Sequence, residues 1–316
     1  MSARLRAMAW LLAPALVVAL LPLALSRYLL SVFILAGLSA LAAVGLNLLV
    51  GYTGQISFGH NAFLGVSAYA TAALTTQLGW PSLAALAAGM AATALVALGV
   101  GVPTLRLRGH SLAMGTVALG VVANVLFNEL KPITNGYLGI GGIPPLALAG
   151  WVLDTDLEYY YATWALVLAA IWLCRRLVDS RVGRALAAIR DNEAAARALG
   201  VDVAGDKLRI FVLSALFGSL SGSLYAHWVG FISPELFSLD SALFLIVTLL
   251  VGGTGTLWGP VAGAIGLTVL AEMLRASKAF NQLLFGLLLI GTLLFAPRGL
   301  VGLRAVFARW RPTRST

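Results

Sequence analysis

The chain has 316 residues, of which 60% are apolar and only 10% charged, with a mean hydropathy of +0.94 and a net charge of +9. A soluble domain usually carries about a quarter charged residues, so this chain lacks the polar surface that water requires and its exterior must face lipid. Nucleic-acid binding is excluded as a function class, because membrane orientation and anionic headgroups account for the positive charge.

A bilayer core of roughly 30 Å needs about 20 apolar residues per helix. Ten segments fit: 8–25, 28–50, 62–78, 82–104, 111–130, 159–178, 208–230, 241–252, 261–275 and 282–297. The pattern predicts an all-α, polytopic transmembrane bundle forming a single domain, with two related halves and Gly-rich helix breaks. The apolar run after Arg4 and Arg6 is too long for a signal peptide and reads as an uncleaved first span. Cys174 is the only cysteine, which rules out an intrachain disulfide or a thiol-metal cluster built from this chain alone.

Between the second and third spans the run GYTGQISFGHN, 51–61, interrupts the apolar pattern. Non-helical backbone at membrane depth is tolerated only where protein or a water-filled cavity satisfies it, so such a break points to a translocation pathway. Its candidate residues are Gly54, Gln55, Ser57, His60 and Asn61. For His60 the ordinary role of satisfying backbone outweighs that of a ligand, and the polar residues serve equally as helix caps. On the fifth span Asn124 and Asn128 stand one turn apart, placed to line a cavity or to cross-link helices.

The outer segment 131–158 carries strong turn signals and three acids, Asp154, Asp156 and Glu158, which suit an ordered loop or short surface helix. A second break, GGTGTLWGP at 252–260, adds Gly252, Thr254 and Gly255 to the pathway candidates. Both breaks share the string Leu-Val-Gly-x-Thr-Gly, which relates the halves in parallel. A competing match pairs GQIS (54–57) and LGWP (78–81) with GFIS (230–233) and LWGP (257–260), which implies inversion. With both termini inside, the inner loops and the basic tail 298–316 hold 17 of the 21 Lys and Arg, as the positive-inside rule requires.

The inner segment 179–207 is different in kind. Strong helix formers run from Arg184 to Leu199, with Leu186, Ile189, Ala196 and Leu199 at helical spacing and Gly200 placed as a C-terminal cap. Arg190, Asp191, Glu193 and Arg197 form the other face, too balanced in sign for a membrane-surface helix.

The strings GRALAAIRDNEAAARALGV, LNLLVGYTGQISFGHNAFLGVSAYATAAL and LVGGTGTLWGPVAGA closely resemble the LivM-type permeases of branched-chain amino acid ABC importers, a likeness running from Leu38 to Leu303. The resemblance implies that the loop helix docks on a cytoplasmic ATPase through Arg184, Ile189, Arg190, Glu193, Ala194, Ala195, Arg197 and Gly200, although the spacing from Glu193 to Gly200 is one residue longer than the usual EAA pattern. It also implies a bacterial inner-membrane location and four kinds of neighbour. These are a second, similar permease, two ATPase subunits, a periplasmic substrate-binding protein and the lipid bilayer. Leucine, isoleucine and valine are the implied cargo, with urea, short amides or aromatic carboxylates as alternatives. No cofactor is implied. The chain has no G-x-x-x-x-G-K-[ST] loop, so ATP hydrolysis belongs elsewhere. An ion-coupled transporter would carry charges deep in its spans. An enzyme would cluster its histidines, yet His60, His110 and His227 lie far apart.

Overall fold

A computed structural model describes residues 14–105, 107, 109–148, 150–273 and 286–287. Its helices, in chain order, are α1 (Pro14–Leu23), α2 (Arg27–Asn47), α3 (His60–Thr76), α4 (Ser82–Thr104), α5 (His110–Glu129), α6 (Lys131–Thr134), α7 (Asp156–Val178), α8 (Arg181–Asp191), α9 (Glu193–Ala198), α10 (Val203–Val229), α11 (Leu239–Gly252) and α12 (Gly259–Met273). The tenth expected span, 282–297, and the basic tail 298–316 lie outside the described residues, apart from 286–287, as do the first third of the first span, 8–13, and the end of the ninth, 274–275.

Among the described residues, five helices are long and apolar enough to cross a membrane: α2 with its extension to Tyr52, α4, α5, α7 and α10. The third, eighth and ninth expected spans are shorter. Helices α3, α11 and α12 have 17, 14 and 15 residues, and at 1.5 Å per residue α11 reaches about 21 Å. They hold their places because other helices cover them, and α3 buries 11 of its 17 residues.

Helix α2 is the hub. Ser26 caps it by accepting from the Leu29 N–H, and 14 of its 21 residues are buried, a sign of a helix surrounded by protein. It packs on α7, α10 and α12, while α3 and α4 pack on α10 from the other side. The hydrophobic effect does little to join helices in lipid, so close approach and interhelical hydroxyl bonds do the holding. Ser214 and Ser221 on α10 donate to the Gly45 and Leu38 carbonyls of α2 at 2.7 and 2.8 Å, and Thr71 meets Ser223 at 2.9 Å. A Cβ on Gly222 would fall 2.2 Å from the Leu64 carbonyl oxygen of α3. Helix α5 sits at the edge and buries only four of its 20 residues.

Two-residue strands interrupt the otherwise helical fold. The outer segment 131–158 is α6, a 3₁₀ turn and strands β1 (Ile140–Gly141), β2 (Ala147–Leu148) and β3 (Trp151–Val152). β1 pairs antiparallel with β4 (Phe231–Ile232), placing Ile140 opposite Ile232, and β2 pairs with β3. Two of the three acids expected to face outward are engaged within the chain. Asp156 accepts from Ser31 and Trp228, and Glu158 closes a capping box with Thr155 while accepting from Trp151. Asp154 is exposed.

The expected single helix from Arg184 to Leu199 is two helices. Asn192 is extended (φ −161°, ψ 108°) and its side chain accepts from the Ala194 and Ala195 N–H groups at 2.9 and 3.1 Å, so a good N-cap defeats helix continuation. Leu186, Ile189 and Ala196 are buried as the spacing predicted, but the break rotates Leu199 out to 83% exposure. Gly200 ends α9 at φ +83°, as expected of a C-terminal cap.

Gly222→Val is expected to destabilise the α3–α10 packing by about 1–3 kcal/mol, the usual cost of overpacking, and to lower the melting temperature of the purified protein in detergent. Gly99→Ala, at a position with open space, should leave that temperature unchanged or higher.

Candidate functional site: a junction of two helix breaks and a loop helix

Helix α2 loosens before it ends. Leu48–Tyr52 is a π-helical turn, Gly54 takes φ +72°, and 54–59 is non-helical before α3 starts at His60. The second break occupies 253–258, with Gly253 at φ +114° and Gly255 at φ +71°. The two breaks touch. Asn47 donates to the Thr256 carbonyl at 2.8 Å and accepts from the Gly255 N–H at 2.9 Å. A Cβ on Gly51 would lie 2.2 Å from Asn47 Oδ1 and 2.4 Å from Gly255 N, so only glycine allows this approach.

Arg190 at the end of α8 joins the same junction. Its Nη1 donates to the Gly51 carbonyl at 3.1 Å, and its Nε lies 3.6 Å from Asp191. Its alkyl stem sits against Gly54. Three elements distant in sequence, the two breaks and the loop helix, thus share one set of hydrogen bonds.

Glu193 does not present a free charge outward. It pairs with Lys207 at the start of α10, whose side chain is only 5% exposed; a buried cation requires such a partner. In and after α9 the exposed residues are Ala194, Ala195, Arg197, Ala198, Leu199 and Gly200, and Arg184, Arg190, Asp191 and Asn192 are exposed along and after α8. A cleft of about 270 Å³ opens beside the junction, between residues 53–56, the loop preceding α5 and the segment Ile189–Glu193.

The pathway candidates divide. Gly54, Gln55 and Gly255 gather at the junction, while Gly252 packs α11 onto α12, where a Cβ would meet the Gly259 carbonyl oxygen at 1.9 Å. Ser57 is buried and Thr254 half-buried. His60 is sealed against Gly45 of α2 and Gly218 of α10. Asn61 donates to the Ser238 carbonyl at 3.3 Å and Asn124 to the Pro234 carbonyl at 2.7 Å, while Asn128 turns back onto Asn124 at 2.9 Å. Of the two roles open for the asparagines of α5, the structure shows Asn124 cross-linking to the segment between α10 and α11, at the start of a 3₁₀ turn. That segment, 230–238, follows α10 as strand β4 and a 3₁₀ turn (Pro234–Phe237) and meets the first turn of α3 at Asn61, directly after the break 54–59. Asn47 and Lys207 were missed from the sequence. Asn47 had a signal, a carboxamide inside an apolar helix. Among the described residues no group of His, Cys, Asp and Glu is arranged to hold a metal ion.

The profile of the family described as "Branched-chain amino acid transport system / permease component" matches residues 28–296. The chain is 31% identical over 306 residues to the high-affinity branched-chain amino acid transport system permease protein LivM of Escherichia coli, covering 89% of this chain and 71% of that protein. It is 30% identical to LivM of Salmonella typhimurium, covering 82% and 66%. It is 31% identical to the autoinducer 2 import system permease protein LsrC of Yersinia pestis, covering 66% and 63%. No solved structure matches. With the profile spanning most of its length, the chain belongs to the family of branched-chain amino acid transport permeases.

Proposed function

We propose that the chain is the membrane-spanning permease subunit of an ATP-driven ABC importer in the bacterial inner membrane, translocating branched-chain amino acids handed over by a periplasmic binding protein. It works beside a second permease of similar build and over two ATPase subunits that hold the nucleotide sites. Ten spans and two halves related by inversion complete this reading. The inversion draws support from the segments 54–59 and 230–238, which carry the matching GQIS and GFIS strings and meet at the first turn of α3, where Asn61 bonds Ser238. Both termini and the α8–α9 pair lie on the ATPase side.

The observation that carries the coupling role is the bond from Arg190 to Gly51. An ATPase that grips Ala194, Ala195 and Arg197 moves α8 and α9, and α8 is tied through Arg190 to the first break and through Asn47 to the second. The breaks lack regular helical bonds and so yield at lower cost than a continuous helix. Motion at the loop therefore shifts both breaks together and opens or closes the pathway, with no bond made or broken in the cargo.

Two substitutions in α9 separate docking from folding. Ala195→Trp, at an exposed position, should cut leucine uptake about tenfold while ATP hydrolysis and complex assembly persist, as when an interface loses about 1.4 kcal/mol. Ala196→Trp, at a position 1% exposed, should instead reduce the amount of folded protein. Normal uptake by the Ala195→Trp complex in proteoliposomes would overturn the docking role. Arg190→Met keeps the alkyl stem and removes the bond to Gly51, a charge-assisted bond of about 1.5–3 kcal/mol. ATP hydrolysis is expected to continue while transport per ATP falls by tenfold or more; unchanged stoichiometry would count against the tie.

A further inference from the structure

The cleft beside the junction has a chemistry that coupling alone does not use. Gln55 reaches it from the first break. Its side chain is 4% exposed, yet neither its amide nitrogen nor its amide oxygen has a hydrogen-bond partner among the described residues. A buried carboxamide left without partners is costly, and a ligand that satisfies this one must offer an acceptor and a donor side by side. The α-carboxylate and α-ammonium of an amino acid do this, one accepting from Nε2 and the other donating to Oε1. Charges of both signs border the same space: Arg190 and Lys207, Asp191 and Glu193. Ile189 adds an apolar wall. A volume of about 270 Å³ falls just below the roughly 300–1,000 Å³ of sites for drug-sized ligands, which suits one small solute.

We propose that this cleft binds a single zwitterionic α-amino acid with an apolar side chain, entering from the side of α8 and α9. The inference rests on the reading of the chain as an amino acid importer, since the solute that accumulates on that side is then its own cargo. A ligand here bridges Gln55 on the first break and Arg190 on the loop helix, so it holds the junction in one arrangement. Accumulated product thereby slows the motor.

The test uses the complete importer in proteoliposomes with the ATPases facing outward and a constant load of receptor and L-leucine inside. L-leucine added outside is expected to lower ATP hydrolysis at least threefold. Leucinamide, which lacks the carboxylate, and 4-methylpentanoate, which lacks the ammonium, should have no such effect. Gln55→Leu should raise the half-inhibiting leucine concentration tenfold or more, and the ligand series on the wild-type complex stands even where that variant folds poorly. Hydrolysis indifferent to external leucine, or equally sensitive to all three compounds, would overturn the site. ATP-driven release of lumenal leucine from the same vesicles tests the importer reading separately. If that release is absent, equilibrium dialysis of radiolabelled L-leucine against receptor-free complex decides the site: saturable binding weakened by Gln55→Leu supports it and no saturable binding overturns it.

Discussion

Backbone amides placed in apolar surroundings must find partners inside the protein, because lipid supplies none. A helix meets this requirement by itself, and wherever this chain leaves the helical path a side chain has to stand in. Asn47 does so for the break at 253–258, Asn61 and Asn124 for the segment 230–238, and Arg190 for the carbonyl of Gly51. These four residues determine where non-helical backbone can exist, and therefore where the bundle can bend. Around these breaks α2 is wedged among α7, α10 and α12, and serine hydroxyls lock it to α10.

Much of this was legible in the primary structure. Apolar runs of bilayer length marked α2, α4, α5, α7 and α10, and glycine clusters marked both breaks. Glycine at 51 and 255 states only that a side chain is forbidden; it does not say which backbone approaches. That the two clusters touch was hidden because the contact is made by Asn47, more than 200 residues from its partners. The short helices α3, α11 and α12 came out at or near the lengths the apolar runs gave them. Hydropathy reports that a segment is apolar, but not that α3 is apolar because protein encloses it, with 11 of its 17 residues buried. In the loop, helical spacing placed Leu186 and Ile189 inward but could not weigh the capping strength of Asn192 against the propensity of the alanines beside it.

As a member of the branched-chain amino acid transport permeases, the chain carries few charges in its described core, and their placement is informative. Lys207 and Glu193 neutralise each other where α9 meets α10, and Arg190 spends its donors on a carbonyl and on Asp191. None of these groups stands alone in the bundle to take up and release a proton. In the proposed importer, energy enters mechanically through the small exposed side chains of α9.

The single extended residue Asn192 gives the loop an elbow. One limb, α8, is fastened to the breaks, and the other, α9, is fastened through Glu193 to the foot of α10. A push delivered at the elbow is divided between two anchors with different leverage, one bending backbone and the other tilting a 27-residue rod. In the proposed coupling role, one stroke at the elbow thus reaches the breaks and the foot of α10 by separate routes.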